Sequence, residues 1–384
     1  MLTSTPSRSP AFSLFGDPHQ TRVERAIAEF RSGRPVLFSG GVRSVLAMPT
    51  EAVDGPAGDM MLEWAVRGAY LVLTRPRLHH LGVANGVGPR RFPLPMLDRN
   101  LIDRLSRQTD AAMTDAAMTD TGESVSPVEE AALELAQLAY LIPSVIAVEA
   151  QDPARLVEAG ALEVEATAIF NFRDIAARQM RIVSRSPVPL AEARDSEFVV
   201  FRGGEGMRDQ VAIVVGDPDL SKPVLTRVHS ACLTGDLFGS LKCDCGDQLR
   251  GGVKRMAESG GGIMLYLDQE GRGSGIANKM RAYKLQCDGL DTYQADSVLG
   301  LDLDSRHFAM AGTMLRLLGV ARVHLLTNNP EKIAALKAAG IDVVQDLRMF
   351  GRPTEENVRY LQAKRDRAGH RIGIEALFGE PAAE

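Results

Sequence analysis

The sequence predicts an α/β (α+β) fold divided into two domains. The chain has 384 residues, which is more than a typical single domain holds. Its second half alternates short apolar strand patterns with helical patterns, and its first half mixes the two less regularly. A stretch rich in Ser, Pro, Gly and charge separates the halves. We therefore expect an N-terminal α+β domain over 19–185, a linker over 186–207 and a C-terminal domain with a mixed sheet over 208–374.

In the first half, four elements are predicted from periodicity. Apolar residues at helical spacing predict a helix over 22–30, and a short apolar run predicts a strand over 36–38. Pro127 is suited to the first turn of a helix and opens a second helical pattern over 128–139. An apolar, β-branched run then predicts a strand over 144–149. Helices and strands thus mix without a simple repeat.

The second half alternates more regularly. Apolar runs predict strands over 211–215, 224–228, 263–267, 323–326 and 341–344. Helical patterns are predicted over 247–259 and 275–286, and a third begins at Asn329-Pro330 and ends at Gly340. This alternation is typical of a mixed sheet covered by helices.

Three segments lack the signature of a packed fold. Residues 1–18 are rich in Ser and Pro and lack the apolar stretch of a signal peptide, so they are expected to be a disordered tail. Residues 375–384 are predicted as a C-terminal tail. The motif Asp-Ala-Ala-Met-Thr occurs at 110–114 and again at 115–119. Five residues cannot form a packing unit, so we predict a low-complexity loop near 107–126.

Composition and charge exclude several classes of protein. Hydrophobic residues make up 45% and charged residues 24% of the chain, as in ordinary globular proteins. The formal net charge of -5 argues against nucleic acid as a partner, and no apolar run reaches the length of a membrane span. Four cysteines are too few for a disulfide scaffold, which favours a reducing, cytoplasmic location.

Clustered cysteines are the strongest chemical signal in the chain. Cys232, Cys243 and Cys245 lie close together in sequence, and three thiolates suit a tetrahedral Zn²⁺ whose fourth position stays open for chemistry. A redox pair or three small buried apolar residues are the alternatives. Neither accounts for the Gly, Asp, His and Arg residues around them, so we favour zinc. Cys287 is either a fourth ligand or, as we favour, an ordinary thiol at a helix end.

Two strand-to-helix segments are candidates for binding phosphate. Residues 268–275 carry glycines that let backbone N–H groups approach an anion, and Arg272 adds a bidentate donor. An ordinary turn explains the glycines equally well. After Thr327, Lys332 lies in the first turn of a helix, where a cation opposes the helix dipole and favours a nearby anion. Residues 301–308 concentrate Asp, Arg and His, which is also typical of a polar turn.

Taken together, these segments resemble one known family. From about 211 to 372 the chain is similar to GTP cyclohydrolase II, the zinc enzyme that begins riboflavin synthesis. The runs Arg-Val-His-Ser-X-Cys-Leu-Thr-Gly-Asp from Arg227 and Cys-Asp-Cys-Gly-X-Gln-Leu from Cys243 carry the resemblance. Further matches, in the family's order, are Gln-Glu-Gly-Arg, Asn-Lys-X-Arg-Ala-Tyr, Asp-Thr, Leu-Thr-Asn-Asn-Pro and a final Glu-Asn.

The resemblance implies a reaction and its cofactors. GTP would be hydrolysed to 2,5-diamino-6-(5-phosphoribosylamino)pyrimidin-4(3H)-one, formate and pyrophosphate. The three clustered cysteines would hold one Zn²⁺ per subunit, Mg²⁺ would accompany the GTP phosphates, and the protein would be a homodimer.

The resemblance also implies roles for individual residues. Tyr283 would polarise the water or the substrate, and Asp304 would act as a base. Arg306 would either attack the α-phosphate or stabilise its charge; both interpretations stay open. Glu270 is a candidate to read the guanine N1–H and N2–H₂ edge. The implied GTP-binding positions are Arg227, Val228, His229, Ser230, Ala231, Gln248, Glu270, Gly271, Arg272, Thr292, Thr327 and Lys332.

Three positions depart from the family's commonest pattern. Ala231 stands where Glu is usual, Asp268 where Arg is often found, and Ser274 where an apolar residue is usual. These changes motivate an alternative function, a related nucleotide hydrolase with another substrate or a partial reaction. A non-catalytic GTP-binding regulator is the second alternative, although the intact cysteine set argues against it.

The first half resembles a degenerate 3,4-dihydroxy-2-butanone 4-phosphate synthase, the usual fusion partner of that enzyme. The similar segments are 23–37 and 130–139. The synthase needs an acidic, metal-binding loop, whereas 39–46 contains no carboxylate, and Val128 stands where the family has a metal-binding histidine. We therefore expect no synthase activity. A structural, dimerisation or regulatory role for this half is left open.

Overall fold

Helices and strands are arranged in two units, which confirms the predicted α/β class and the two-domain organisation. The first unit comprises 1–175 and 298–301, and the second comprises 176–297 and 302–384. This computed structural model describes residues 16–64, 68–83, 88–94, 98–109, 122–204, 209–302, 306–352, 354 and 356–357. The tandem repeat, Asp304 and both predicted tails, apart from residues 16–18, lie outside these residues. No helix in the described ranges is long and apolar enough to cross a membrane.

A seven-stranded mixed sheet forms the centre of the first unit, with strand order β5-β4-β3-β6-β2-β1-β7. Among the described strands of this sheet, only β1 and β7 pair in parallel. The strands are β1 (Val36–Gly40), β2 (Arg43–Pro49), β3 (Ala69–Leu73), β4 (Arg90–Leu94), β5 (Glu123–Ser124), β6 (Ser144–Glu149) and β7 (Leu162–Glu165). The helices are α1 (Pro18–Arg31), α2 (Pro56–Trp64), α3 (Arg75–His80), α4 (Arg99–Arg107), α5 (Pro127–Leu138), α6 (Pro153–Glu158) and α7 (Ala166–Arg178).

The first helix illustrates how local sequence sets the elements of this unit. Asp17 caps α1, because its side chain accepts hydrogen bonds from two backbone N–H groups of the first turn. Val23, Ala26 and Phe30 recur at helical spacing and are fully buried. Phe30 meets Phe38 of β1 edge-on, with ring centroids 5.6 Å apart. The helix predicted over 22–30 and the strand over 36–38 are therefore confirmed.

The second unit is also built on a seven-stranded mixed sheet, with order β14-β13-β11-β12-β10-β9-β8. Its strands are β8 (Arg181–Pro187), β9 (Ser196–Arg202), β10 (Gln210–Gly216), β11 (Val224–Ser230), β12 (Gly261–Leu267), β13 (Arg322–Leu326) and β14 (Asp342–Leu347). Its helices are α8 (Leu233–Asp236), α9 (Cys245–Glu258), α10 (Gly275–Cys287), α11 (Thr292–Val298), α12 (Ala309–Leu317) and α13 (Pro330–Ala338). β11 pairs in parallel with both β12 and β13, so the carboxyl ends of these three strands meet at one edge.

The structure differs from the prediction in the region expected to be a linker. The end of β8 and all of β9 lie within 186–207, and the two strands pair antiparallel at one edge of the second sheet. β8 is nearly all exposed and rich in Arg and Ser, which is common for an edge strand because charge there discourages pairing with other chains. Such a strand has no apolar alternation, so its sequence resembles that of a linker. The division between the units falls earlier, after Ile175.

Candidate active site

Predicted site residues lie together at the carboxyl ends of the parallel strands of the second unit. Ala231 and Cys232 follow β11, Glu270 follows β12, and Thr327 follows β13. Ligands of open α/β sheets bind at the carboxyl ends of the strands, because loops there converge and helix N-termini face them. All four of these residues line one cavity.

Nearly all the residues singled out from sequence line this cavity. The predicted residues found there are Arg227, His229, Ser230, Ala231, Cys232, Cys243, Cys245, Gln248, Glu270, Gly271, Arg272, Tyr283, Thr292, Arg306, Thr327 and Lys332. Val228 is instead buried in β11 and presents its carbonyl oxygen to Lys332, whose ammonium donates to it at 2.7 Å. Asp304 lies outside the described residues.

The three cysteines form a compact cluster. Their sulfur atoms lie within 4.8 Å of one another, and the sulfurs of Cys232 and Cys243 are 3.6 Å apart. That separation is far too long for a disulfide. It is close to the roughly 3.8 Å that two ligands would span around a tetrahedral zinc with Zn–S bonds of about 2.3 Å. Cys287 is exposed and is not part of the cluster.

Two glycines leave the room that this cluster needs. A Cβ atom on Gly235 would lie 2.6 Å from the Cys243 sulfur and 3.1 Å from the Cys232 sulfur. A Cβ on Gly246 would lie 2.3 Å from the carbonyl oxygen of Gly235. A side chain at Gly235 would crowd two of the sulfurs, and one at Gly246 would collide with the backbone of Gly235. The residues present therefore fit a zinc ion.

A cation and a carboxylate support one of the sulfurs. The ammonium of Lys279 lies 3.1 Å from the Cys232 sulfur and donates to Glu270 at 2.8 Å. Burial alone would lower the pKa of Lys279, but the Cys232 sulfur and the Glu270 carboxylate outweigh burial and raise it. Hydrogen bonds from Cys243 and Cys245, together with Lys279, hold the pKa of the Cys232 thiol far below its usual range. Cys232 is therefore ready to serve as a thiolate ligand.

Glu270 is held by the protein through both of its carboxylate oxygens. One carboxylate oxygen accepts from the backbone N–H of Leu233 at 2.6 Å, and the other accepts from Gly271 at 2.9 Å as well as from Lys279. Three protein donors thus hold both oxygens. Glu270 thus ties α8 and Lys279 to the loop after β12. It also lines the cavity, and its role in reading a guanine edge stays a prediction.

A buried His–Asp pair lies beside the cysteine cluster. The Nε2 atom of His229 lies 3.1 Å from the Asp236 carboxylate, which also accepts from the Tyr266 hydroxyl and from the backbone N–H of Cys232. Burial and the nearby charge of Arg227 lower the pKa of His229 despite Asp236, so the imidazole is neutral at pH 7. We assign its proton to Nε2, since Asp236 is the acceptor there.

A second polar chain leads from β11 to the cysteines. Arg227 donates to Gln248, and Gln248 donates to the carboxylate of Asp244, which lies between Cys243 and Cys245 in sequence. Arg227 is only 6% exposed, and burial lowers its pKa to about 10. It therefore remains charged, and the cavity receives a fixed positive charge.

The glycine-rich segment after β12 forms an unusual turn. Gly271 and Arg272 have φ values of 62° and 58°, and Gly273 follows with a φ of 88°. Arg272 is one of two non-glycine residues with positive φ in the described chain. Its guanidinium pairs with Asp296 at 3.2 Å and lies over the ring of Tyr293, which helps to offset the backbone strain.

Further cations and an aromatic ring complete the cavity. The Lys332 ammonium and the Arg306 guanidinium each lie 5.3 Å from the centre of the Phe308 ring. Tyr283 stands one helical turn beyond Lys279 on α10, and that ammonium lies 5.6 Å from the tyrosine ring. The predicted catalytic residues Tyr283 and Arg306 are thus in the same cavity as the cysteine cluster.

The three departures from the family pattern have different settings. Ala231 and Ser274 line the cavity, whereas Asp268 does not. The Ser274 hydroxyl donates to the carbonyl oxygen of Gly271 at 2.7 Å and so steadies the turn. Ala231 is therefore the change that bears most directly on a bound substrate.

Sequence reasoning passed over several residues of this site. Lys279 is not among the predicted site residues, although it stands four positions before Tyr283, a spacing that puts both on one helix face. Asp236 and Gly235 lie between two of the cysteines, so their proximity to the metal ligands was a usable signal. Asp296 is separated from Arg272 by a whole helix, and no local pattern links them.

Comparison with known proteins places this site in context. The family model for GTP cyclohydrolase II matches residues 180–348. A GTP cyclohydrolase-2 of Xylella fastidiosa is 43% identical over 95% of this chain and 90% of its own length. A GTP cyclohydrolase-2 of Neisseria meningitidis is 52% identical over 43% of this chain and 84% of its own length.

The chain also matches solved structures, one of which illustrates the similarity. It is RibBX, described as a two-domain 3,4-dihydroxy-2-butanone 4-phosphate synthase from A. baumannii. The sequence identity is 16% and the TM-score is 0.33, over 86% of this chain and 99% of that chain.

Proposed function

Since the chain belongs to the GTP cyclohydrolase II family, we propose that its second unit carries out the complete zinc-dependent reaction on GTP. The products would be 2,5-diamino-6-(5-phosphoribosylamino)pyrimidin-4(3H)-one, formate and pyrophosphate. The observation that carries the proposal is the three-sulfur cluster, which lies in the same cavity as Lys279 and four further cationic side chains. The four further cations are Arg227, Arg272, Arg306 and Lys332.

Cys232, Cys243 and Cys245 would hold the zinc ion. A zinc ion held there would supply a water of lowered pKa, which suits attack on C8 of the guanine ring. Lys279 keeps Cys232 ionised, and Glu270 keeps Lys279 in place. Charged side chains of the protein thus favour the thiolate form of Cys232, which is the form that binds zinc.

The cationic side chains would receive the triphosphate. Arg227 is buried and permanently charged, and Arg272 is held by Asp296 near the cavity. Lys332 is only 8% exposed, so its charge acts in a medium that screens it weakly. We expect Mg²⁺ to accompany the phosphates. The carboxylates of the cavity offset part of the positive charge of its cations, so the triphosphate charge is not fully neutralised by the protein. Arg306 would stabilise developing charge on the α-phosphate.

Proton transfer has two candidates in the cavity. His229 is neutral, and with its Nε2 proton directed to Asp236 its Nδ1 atom is a hydrogen-bond acceptor. Tyr283 brings a phenol next to Lys279. Opening of the ring requires protons to be taken from water and given to nitrogen, which a neutral imidazole and a phenol beside a cation can do.

The direct test is to incubate zinc-loaded protein with GTP and Mg²⁺ and to follow formate, pyrophosphate and the absorbance of the product together. Equal amounts of all three would support the proposal. Pyrophosphate without formate would support a partial reaction and direct attention to Ala231. GTP binding without any product would support the non-catalytic regulator instead.

For the first unit we propose no synthase activity. Val128, where the synthase family has a histidine, is buried, and a Cβ on Gly40 would lie 2.8 Å from its Cγ1 atom. An apolar residue thus fills the space next to the end of β1, and no divalent cation can be held by it. Formation of 3,4-dihydroxy-2-butanone 4-phosphate by the purified protein with Mg²⁺ would overturn this.

A further inference from the structure

Four residues from the second half of the sequence belong to the first unit. These residues, 298–301, will be called the link. Val298 is fully buried, and Leu299 and Leu301 are 3% and 5% exposed. The chain enters the link from the end of α11 and leaves it at residue 302. Nothing in the proposed reaction uses these four residues.

A buried arginine of the first unit holds the beginning of the link. Arg77 is 1% exposed, and its guanidinium donates to the backbone carbonyl of Val298 at 2.6 Å. Its remaining described hydrogen bonds, at 2.7 to 2.8 Å, go to backbone carbonyls of α4 and of the residue after it. Burying an arginine costs free energy unless its N–H groups all donate hydrogen bonds. The bond to Val298 is therefore part of a nearly complete set.

A threonine next to Arg77 holds the centre of the link. Thr74 stands at the N-cap of α3, where a hydroxyl normally accepts from the helix backbone. Here the hydroxyl makes no such cap and donates instead to the carbonyl of Gly300 at 2.6 Å. Gly300 has a φ of +69°, and a Cβ atom there would lie 2.8 Å from the Thr74 hydroxyl oxygen. The link is thus shaped closely to Thr74 and Arg77.

On both sides the link is continuous with residues of the candidate active site. Before it, α11 carries Thr292 and Asp296, which line the cavity. After it, Arg306 lies five positions beyond Leu301 and also lines the cavity. A shift of the link would move both segments, because they are covalently joined to it. Displacements of about 1 Å at reacting groups can cost a hundredfold in rate.

We propose that Thr74 and Arg77 are positioning residues, through which the first unit fixes the link and so sets Thr292, Asp296 and Arg306 for reaction. The first unit then serves catalysis in the second without contributing a group to the chemistry. This inference rests on the proposed turnover of GTP.

The test uses two substitutions of the full-length protein at one position. Thr74→Val removes the hydroxyl and keeps the shape of the side chain, whereas Thr74→Ser keeps the hydroxyl. We expect Thr74→Val to lower kcat about tenfold with KM for GTP changed less than about threefold, and Thr74→Ser to stay near the unsubstituted protein. Hydrogen exchange of the link amides should accelerate about tenfold in Thr74→Val only.

A matched control separates positioning from loss of stability. Glu129→Gln also disturbs a buried polar group of the first unit, but Glu129 contacts arginines and Ser126 and not the link. We expect its kcat and link exchange to be unchanged. Equal kcat in Thr74→Val and Thr74→Ser, or an equal loss in Glu129→Gln, would overturn the inference. Absence of formate from the unsubstituted protein would instead defeat the proposed function, while link exchange would still report on Thr74.

Discussion

The two units bury charge for different purposes. In the first unit, Arg77 and Glu129 are buried. Arg77 donates to backbone carbonyl groups, and Glu129 pairs with an arginine side chain. In the second, Arg227, Glu270 and Lys332 are buried to a similar degree, yet all three line one cavity. Both units have a seven-stranded mixed sheet. The sheet architecture therefore does not tell whether a buried charge stabilises the fold or binds a ligand. The position of the charged side chain at a cavity, together with others, indicates a ligand site.

The largest effect on zinc binding and turnover should come from replacing a cysteine of the cluster. We expect Cys243→Ser to lower zinc affinity and GTP turnover by more than about a hundredfold, because a hydroxyl is a far weaker ligand for zinc than a thiolate. Metal analysis after dialysis and a formate assay would measure the two effects. Cys287→Ser is the control, since Cys287 is exposed and outside the cluster. Full zinc content and activity in Cys243→Ser would refute the metal site.

The next largest effect should come from crowding the sulfurs with an added methyl group. In Gly235→Ala the new Cβ atom would lie 2.6 Å from the Cys243 sulfur, so the cluster must widen. We expect zinc affinity to fall by about tenfold to a hundredfold, measured by competition with a chelator. Gly251→Ala is the control, because its Cβ would meet only the flexible end of Met349 at 3.2 Å. Equal zinc affinity in both variants would show that a methyl group at position 235 does not disturb the sulfur cluster.

A smaller effect is expected from the cation beside Cys232. Lys279→Met keeps the length of the side chain and removes its charge, so we expect about a tenfold loss in zinc affinity or kcat. Lys279→Arg should recover part of the loss, because it restores a donor to the sulfur. Substitution of cobalt for zinc would give a spectroscopic signal of the thiolates that does not depend on turnover. An unchanged cobalt spectrum together with unchanged kcat would assign Lys279 to the fold alone.

The smallest effect on activity, and a clear one on stability, is expected in the first unit. Glu129→Gln breaks the pairing of a fully buried carboxylate with Arg91 at 2.8 Å and should cost about 3 kcal/mol in the free energy of unfolding. Denaturant unfolding followed by far-ultraviolet circular dichroism would measure it. GTP turnover should not change. A loss of turnover that matches the loss of stability would erase the distinction between the two units.

The same carboxylate predicts a dependence on pH. Burial alone would raise the pKa of Glu129, but hydrogen bonds from Ser126 and Arg91 outweigh burial and lower it from its usual value of 4.5. A group with a lowered pKa in the folded state stabilises the protein above its unfolded pKa, and the stabilisation is lost as the pH falls through the folded value. Stability should therefore decline below about pH 4.5, and less steeply in Glu129→Gln. Equal slopes for the two proteins would contradict this.

Sequence alone predicted the cysteine cluster and the central strands, because in both cases the signal lies within a short stretch of the chain. Cys232, Cys243 and Cys245 were found by spacing, and the central strands by their apolar runs, since both signals are local. The edge strand β8 is not among the predicted strands, because its exposed Arg and Ser residues show no apolar face. The contact between Thr74 and Gly300 joins residues more than two hundred positions apart. Only folding brings such partners together, and no pattern in a single sequence records it.

The left-handed turn at Arg272 also limits how this enzyme can evolve. A residue with a φ of 58° is tolerated mainly when it is Gly, Asn or Asp, so few single-codon changes are open to position 272. Losing the arginine would relieve strain but would also release Asp296 and Tyr293. Ala231 has no such constraint in the described structure, because it is not among the residues with positive φ. Natural drift in substrate preference should therefore accumulate at Ala231 sooner than at Arg272.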